Sequence, residues 1–302
     1  MGIALNAVHL LASTLPVLGN RSSKTMLTLG VQDCYFTYSE VVQFLNRHRI
    51  PFESLESCDR KLTTGFQWVP SGEKAKYRNY VHQATLFHLL GFRPENVLSM
   101  DVSDYESPDI VHDLNRPVDR SLHDRFDFIF DGGTVEHVFS IKDALFNICQ
   151  MCKIGGVVVN FGPVDWINHG FVNLSAELLR DFYASNGFEE LTLKYIVTPK
   201  HPRKANRYYV EYAPEQYQFS LSPYYHTGVY SAFRRIEEKP LTVPTQGAYC
   251  RLHAGARVPE WSRGWFRTML SSTVVSSVDA HFISALLVRS CLNRLKGRRV
   301  AL

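Results

Sequence analysis

Four carboxylates stand at or just beyond short apolar runs: Asp33 after MLTLG, Asp101 closing NVLSMD, Asp113 inside DIVHDL and Asp131 inside FDFIFDG. One carboxylate can accept hydrogen bonds from two vicinal hydroxyls, or from an amine. Two histidines follow in the same part of the chain, His137 in TVEHVF and His169 in NHGF. Imidazole titrates near neutral pH, so either can take a proton from a hydroxyl or amine nucleophile. The combination suits a ligand site in which acids accept hydrogen bonds and a histidine can take a proton. Taken singly, each acid also reads as a turn or helix-start residue, because Asp and Asn bond their own backbone there.

The elements around these residues decide whether they meet. Strands are expected at 26 to 30, 96 to 101, 109 to 114, 126 to 132 and 155 to 162, each short, rich in β-branched or aromatic residues, and several apolar on both faces. Helical stretches alternate with them: YSEVVQFLNRH, KAKYRNYVHQATLFHLLGF, SIKDALFNICQMCK and SAELLRDFYASNGF. Alternation of this kind specifies an α/β fold, a mostly parallel sheet with helices on both faces. Ligands of such sheets bind outside the carboxyl ends of the strands, so the four acids point at one crevice.

The segment FDFIFDGGTVEHVFSIKDALFNICQMCKIGGVVVNFGP resembles the fourth strand, helix and fifth strand of class I S-adenosylmethionine-dependent methyltransferases, with their KxGG-type turn. NHGFVNLSAELLRDFYASNGFEE is similar to the loop, helix and NGFE stretch that follow in that family. The resemblance covers about residues 25 to 200. It implies a Rossmann-like, seven-stranded, mostly parallel sheet, an insertion after the first strand and an elaborated C-terminal region. It also implies S-adenosyl-L-methionine as cofactor. Asp101, with Val102 beside it, would bond the ribose hydroxyls. Asp113 and Leu114 would lie by the adenine, and Asp131 and Gly132 would line the methionine portion. Against this, HDLN reads equally as a turn capped by Asn115.

Gly30 matches the first glycine of the family's cofactor loop, and there the chain departs from the pattern: Val31, Gln32 and Asp33 replace further glycines. Side chains at those positions restrict the approach of a ligand to the backbone. Gln32 or Asp33 could instead bond the cofactor's amino-acid end directly, which leaves a modified working loop and a loop that no longer binds as the alternatives.

Methyl transfer needs alignment above all, and a base when the nucleophile is a hydroxyl. His169 and His137 are the expected catalytic residues. No metal is assigned in this primary reading. A secondary reading makes Glu136, His137 and His169 ligands of a divalent ion, since ubiquinone-pathway and small-RNA 2′-O-methyltransferases carry a similar ExxEH helix start. Here Gly133 stands where the first acid would be, removing an anionic ligand that a hard ion such as magnesium favours. The implied activity is methyl transfer to a hydroxyl or amine of a small-molecule or sugar-like metabolite. The alternatives are a binding or scaffold subunit on the same fold, and metal-assisted chemistry other than methylation.

The 302 residues suffice for one large domain with an appendage, and a composition of 21% charged and 45% hydrophobic residues is that of a globular protein. Residues 1 to 200 are expected to form the core, with an N-terminal helix and the insertion at about 50 to 90. Residues 201 to 302 would complete the sheet, add substrate-facing elements and end in an amphipathic helix. The net charge of +4 gathers partly in RSCLNRLKGRRV, a local basic end that could touch an anionic membrane surface. No nucleic-acid surface is expected from so local an excess. The six cysteines include one CxxC, Cys149 and Cys152, with no second pair to make a zinc site, and such thiols suit the reducing cytoplasm. The apolar N-terminus lacks the basic flank of a signal peptide. The expected partner is a small-molecule acceptor.

Overall fold

The computed structural model describes residues 2–56, 60–62, 78–199, 208–212 and 225–247. The expected terminal amphipathic helix, the segment TTGFQWVPSGEKAK of the insertion and Cys58, Cys250 and Cys291 lie outside them.

The principal sheet is built from β2 (Met26–Leu29), β5 (Val97–Asp101), β6 (Ile110–Val111), β7 (Phe126–Asp131), β8 (Cys152–Pro163), β9 (Phe188–Pro199), β10 (Tyr208–Glu211) and β11 (Tyr225–Arg235). Its order is β10-β9-β11-β8-β7-β2-β5-β6. From β6 to β8 every pairing is parallel, with Leu29 of β2 level with Met100 of β5 and with Asp131 of β7. β11 runs antiparallel between β8 and β9. The mostly parallel Rossmann-like sheet implied by the resemblance is present, and short β10 adds an eighth strand at its edge. The chain steps outward from β2 to β5 and β6, then returns to β7 and β8 on the other side of β2. That reversal opens a crevice at the carboxyl ends of β2 and β7.

Side chains alternate between two apolar layers, as the period of a strand requires. Phe128, Phe130, Val157, Val159 and Tyr230 face the first layer, which is closed by α1 (Leu5–Thr14), α2 (Tyr38–Arg47) and α3 (Gln83–Leu89). Leu27, Leu29, Ile129, Val158, Val229 and Phe233 face the second, closed by α4 (Ile141–Met151) and α5 (Ala176–Ser185). Each fully buried side chain of this size contributes about 1.5–3 kcal/mol of transfer free energy. The apolar N-terminus is therefore a packed helix, and Thr14 of α1 meets the buried Tyr230 hydroxyl at 2.8 Å.

A second, three-stranded sheet joins β1 (Gly2–Ile3), β3 (Asp33–Thr37) and β4 (Tyr80–His82) in the order β1-β3-β4. It alters two expectations. Asp33 does not sit in a loop running straight into a helix; it begins β3, where it is level with Gly2 on one side and His82 on the other. The helix expected over KAKYRNYVHQATLFHLLGF is confined, among the described residues, to α3, because Tyr80, Val81 and His82 pair as a strand with β3.

Candidate functional site

At the carboxyl end of β7, Asp131 organises the turn that carries the catalytic candidates. It is fully buried, its Oδ1 accepts from the backbone N–H of Thr134 and Val135 at 2.9 and 3.2 Å, and its Oδ2 accepts from Asn160 Nδ2 at 3.0 Å. Gly133, at φ +98°, lets the chain bend sharply enough to offer those amides. A 3-10 turn, Val135–His137, follows and presents Glu136 and His137. The acid expected to line the methionine portion is thus an internal anchor of this turn.

The loop after β8 brings His169 back to the same place. Asn168 and Gly170, at φ +57° and +92°, reverse the chain on either side of it. Phe171 N–H donates to the Glu136 carbonyl at 2.8 Å, and a Cβ on Gly170 would come within 2.7 Å of that oxygen. The loop's base is fixed by Asp165, which accepts from Thr227 N–H and Oγ1 at 2.8 and 2.9 Å. The His137 and His169 rings consequently meet edge to face at 5.0 Å, and Trp166 packs on His169 at the same separation.

Glu136 lies behind the two rings with no exposure to solvent. Its Oε1 is 3.4 Å from His169 Nε2 and 3.9 Å from His137 Nε2. Among the described residues neither of its side-chain oxygens has a hydrogen-bond partner. Burial, reinforced by the charge of Asp131, pushes its pKa up to about 8. Burial also lowers the pKa of both histidines, that of His169 further through the neighbouring His137, which keeps both rings in the neutral, proton-accepting form at neutral pH. Glu136, His137 and His169 offer ligand atoms all within 4.8 Å of one another. Two imidazoles and one carboxylate form a donor set suited to zinc or a similar transition ion more than to magnesium.

These rings line one wall of a cleft of about 720 Å³, together with Phe161, Trp166 and Thr198. Val31 from the loop after β2, Asp33 and Tyr35 from β3, Glu106 from the loop after β5, and the N-terminal residues Gly2, Ala4 and Asn6 form the rest. The structure therefore unites His137, His169 and Asp33 of the expected residues in one cavity. The N-terminal segment, Glu106 and Trp166 carried no motif. The tightest sign of the first is Gly2, whose Cβ would lie 2.3 Å from the Asp33 carbonyl oxygen, so only glycine lets β1 pass there.

The remaining candidates sit at the neighbouring strand ends. Asp101 closes β5, and its Oδ1 accepts from Val102 N–H at 2.6 Å. Gly30, at φ +74°, is kept where a Cβ would come 2.7 Å from Thr134 Oγ1 and 3.9 Å from Asp101 Oδ2. Its own N–H donates to the Met100 carbonyl. Gln32 is buried, and its amide is turned inward: Nε2 donates to the Leu29 carbonyl at 2.6 Å, and Oε1 would touch any Cβ placed on Gly132. Thus Gln32 fills the space of the missing second glycine and braces β2 against β7. Asp113 forms a turn with Asn115, accepting from its N–H at 3.0 Å and its Nδ2 at 2.8 Å, and these bonds hold its pKa below the usual range. Leu114 is buried and Val102 exposed.

No family model and no curated protein matches this chain. Solved structures resemble it distantly. An S-adenosylmethionine-dependent methyltransferase from Aquifex aeolicus superposes with a TM-score of 0.33 at 11% identity, covering 76% of this chain and 97% of that one. YcgJ from Bacillus subtilis gives 0.35 at 9% identity, covering 77% and 99%. The methyltransferase CalH, crystallised with SAH, gives 0.36 at 12% identity, covering 76% and 57%. With scores this low, the strand order and register carry the fold. Helices on both faces of a mostly parallel sheet whose order reverses beside β2 make it Rossmann-like, the architecture implied by the resemblance to class I methyltransferases.

Proposed function

We propose that the protein is an S-adenosyl-L-methionine-dependent methyltransferase acting on a hydroxyl or amine of a small-molecule or sugar-like metabolite, and that it works in the cytoplasm. The observation that carries this reading is the convergence of two imidazoles, His137 and His169, on a cleft at the carboxyl ends of the strands that Asp33 also lines. The cofactor would lie with its ribose side against Asp101, next to Gly30, where a Cβ would meet Thr134 Oγ1 at 2.7 Å and Gln32 Nε2 at 3.3 Å.

When bound, the cofactor supplies an electrophilic methyl carbon: the acceptor's lone pair forms the new bond as the carbon–sulfur bond breaks and its electron pair returns to sulfur. Asp101, with Val102 beside it, would hold the ribose hydroxyls, and Asp113 with Leu114 would border the adenine. Asp33 would face the amino-acid end, the role left to it once Gln32 is committed to bracing Leu29 and Gly132. Asp131 would act at one remove, by fixing the turn that presents His137. His169 would accept the acceptor's proton, with His137 as the second candidate, the Nε2 of His169 itself being buried against Glu136. The free buried thiols Cys34, Cys149 and Cys152 suit a reducing compartment.

A second reading is favoured by one observation, the unpartnered buried carboxylate of Glu136 beside both rings. In it, Glu136, His137 and His169 hold a transition ion that polarises the acceptor oxygen or a water. A screen of metabolite pools with methyl-labelled S-adenosylmethionine tests the first reading; a labelled product that disappears in His169→Gln supports it, and label remaining wholly in the cofactor counts against it.

A further inference from the structure

Two phenylalanines stand apart from the rest. Among the described residues Phe139 and Phe171 are 77% and 67% exposed, whereas the other phenylalanines are buried or half-buried. Their rings meet edge to face at 5.5 Å. Each follows a candidate base by two positions, Phe139 after His137 and Phe171 after His169, and this outer ring pair repeats the contact of the inner imidazole pair. Between His137 and Phe139 the chain is extended, with Val138 at φ −92° and ψ 125° and its side chain buried. Alternate residues of an extended stretch share a face, so Phe139 projects to the side of His137, which lines the cleft. Phe171 is tied to the same turn by its N–H, which donates to the Glu136 carbonyl at 2.8 Å. Inward from there the aromatic surface continues: His137 packs on His169 and His169 on Trp166, at 5.0 Å each, and Trp166 on His226 at 5.4 Å. Single exposed apolar side chains are ordinary; a ring pair that prolongs the wall of a cleft marks a binding surface.

We infer that the acceptor carries an aromatic or alkyl body that leaves the cleft across Phe139 and Phe171, and that these two rings select it. This rests on the methyltransferase reading and narrows its acceptor from a small-molecule or sugar-like metabolite to an apolar one. The reacting hydroxyl or amine lies at the imidazoles, while the apolar body follows the aromatic wall outward and removes both rings from water. A sugar would present hydroxyls along that whole path, and phenylalanine offers no hydrogen bond to replace those they make with water. The occupant is the acceptor because the ring pair rides on the two loops that deliver the histidines. A second copy of the chain seated there would hinder the acceptor's entry.

Phenol, para-butylphenol, para-hexylphenol and methyl glucoside, each titrated into the full chain by ligand-observed NMR, grade the apolar body against a sugar. Affinity is expected to rise at least roughly tenfold from phenol to para-hexylphenol, because each methylene taken from water adds to binding, and the glucoside is expected to bind more weakly than phenol. Both rings are exposed, so the double variant Phe139→Ser with Phe171→Ser keeps the core, and in it the gain is expected to fall below about threefold. A gain undiminished in the double variant, affinity independent of alkyl length, or glucoside binding as tight as para-hexylphenol overturns the inference. So does a dimer of the parent chain in sedimentation that the double variant lacks, since the rings would then belong to an interface between copies. A parallel titration with S-adenosylhomocysteine keeps the two ideas apart: alkyl-length dependence that is lost in the double variant, in a chain that takes no S-adenosylhomocysteine, supports the apolar surface and contradicts the methyltransferase reading.

Discussion

His169 Nε2 lies 3.4 Å from Oε1 of Glu136, a side chain with no exposure to solvent and no hydrogen bond to either oxygen among the described residues. Two accounts explain so costly a burial: the carboxyl steadies a catalytic imidazole, or it awaits a metal ion. They part on metal content. If the protein methylates without a metal, the purified chain contains less than about 0.1 equivalent of zinc, and turnover survives a chelator while falling roughly 10²- to 10⁴-fold in His169→Gln. Elemental analysis showing near one equivalent, lost in Glu136→Gln, would instead establish the metal reading.

Gly30→Ala is expected to damage stability and cofactor affinity together. Its φ of +74° is costly for any residue with a Cβ, and that atom would meet Thr134 Oγ1 at 2.7 Å. A loss of about 1–3 kcal/mol follows from the backbone alone, readable as a shifted denaturation midpoint. Because Thr134 Oγ1 also bonds the Leu29 carbonyl at 2.7 Å, its displacement should weaken S-adenosylhomocysteine binding beyond what the stability loss explains.

Asp127 gives the fold an acid-sensitive clamp at the opposite end of the sheet. Burial alone would raise its pKa, but bonds from Lys153 Nζ at 2.7 Å, Thr25 N–H at 3.0 Å and Lys24 Nζ at 3.2 Å outweigh burial and lower it. A depressed carboxylate stabilises the fold above its unfolded value of 3.8 and loses that contribution as pH falls through the lower folded value. Asp127→Asn is therefore expected to cost about 1–3 kcal/mol at pH 7 and to flatten the stability curve below pH 3.8. Urea titrations across that range would show an unchanged slope if the clamp is idle.

Arg235 closes the junction where α4 runs straight into β8. It is buried, and its Nη1 donates to the Cys149 and Cys152 carbonyls and to Asp124 Oδ1, at 3.2, 2.5 and 2.6 Å. Arg235→Met removes all three donations and leaves two backbone acceptors orphaned, for an expected loss of about 2–4 kcal/mol. Thermal unfolding at wild-type temperature would contradict this.

Much of the frame was legible because its signals are local. β2, β5, β7 and β8 follow apolar runs that a doubly covered strand demands, and α5 starts where Ser175 caps Leu178 N–H. The strand-end acids were legible as a set, yet their side-chain directions were not. Nothing in TMLTLGVQDCYF tells that Gln32 folds inward over Gly132, since that depends on β7 lying next to β2. The small sheet was hidden for a related reason. β1 is two residues long and takes its partner from β3, some thirty positions along the chain, so no period marks it. Glu106 and Trp166 likewise gain meaning only when loops after β5 and β8 meet at one cleft.

Calorimetric titration of the full chain with S-adenosylmethionine and S-adenosylhomocysteine, beside Asp101→Ala, tests the cofactor assignment most directly. Binding of both to the parent chain, weakened at least about tenfold in Asp101→Ala by loss of the ribose contact, is the predicted result. No heat with the parent chain at high concentrations of protein and ligand would contradict the methyltransferase reading, and undiminished binding by Asp101→Ala would remove that residue from the site.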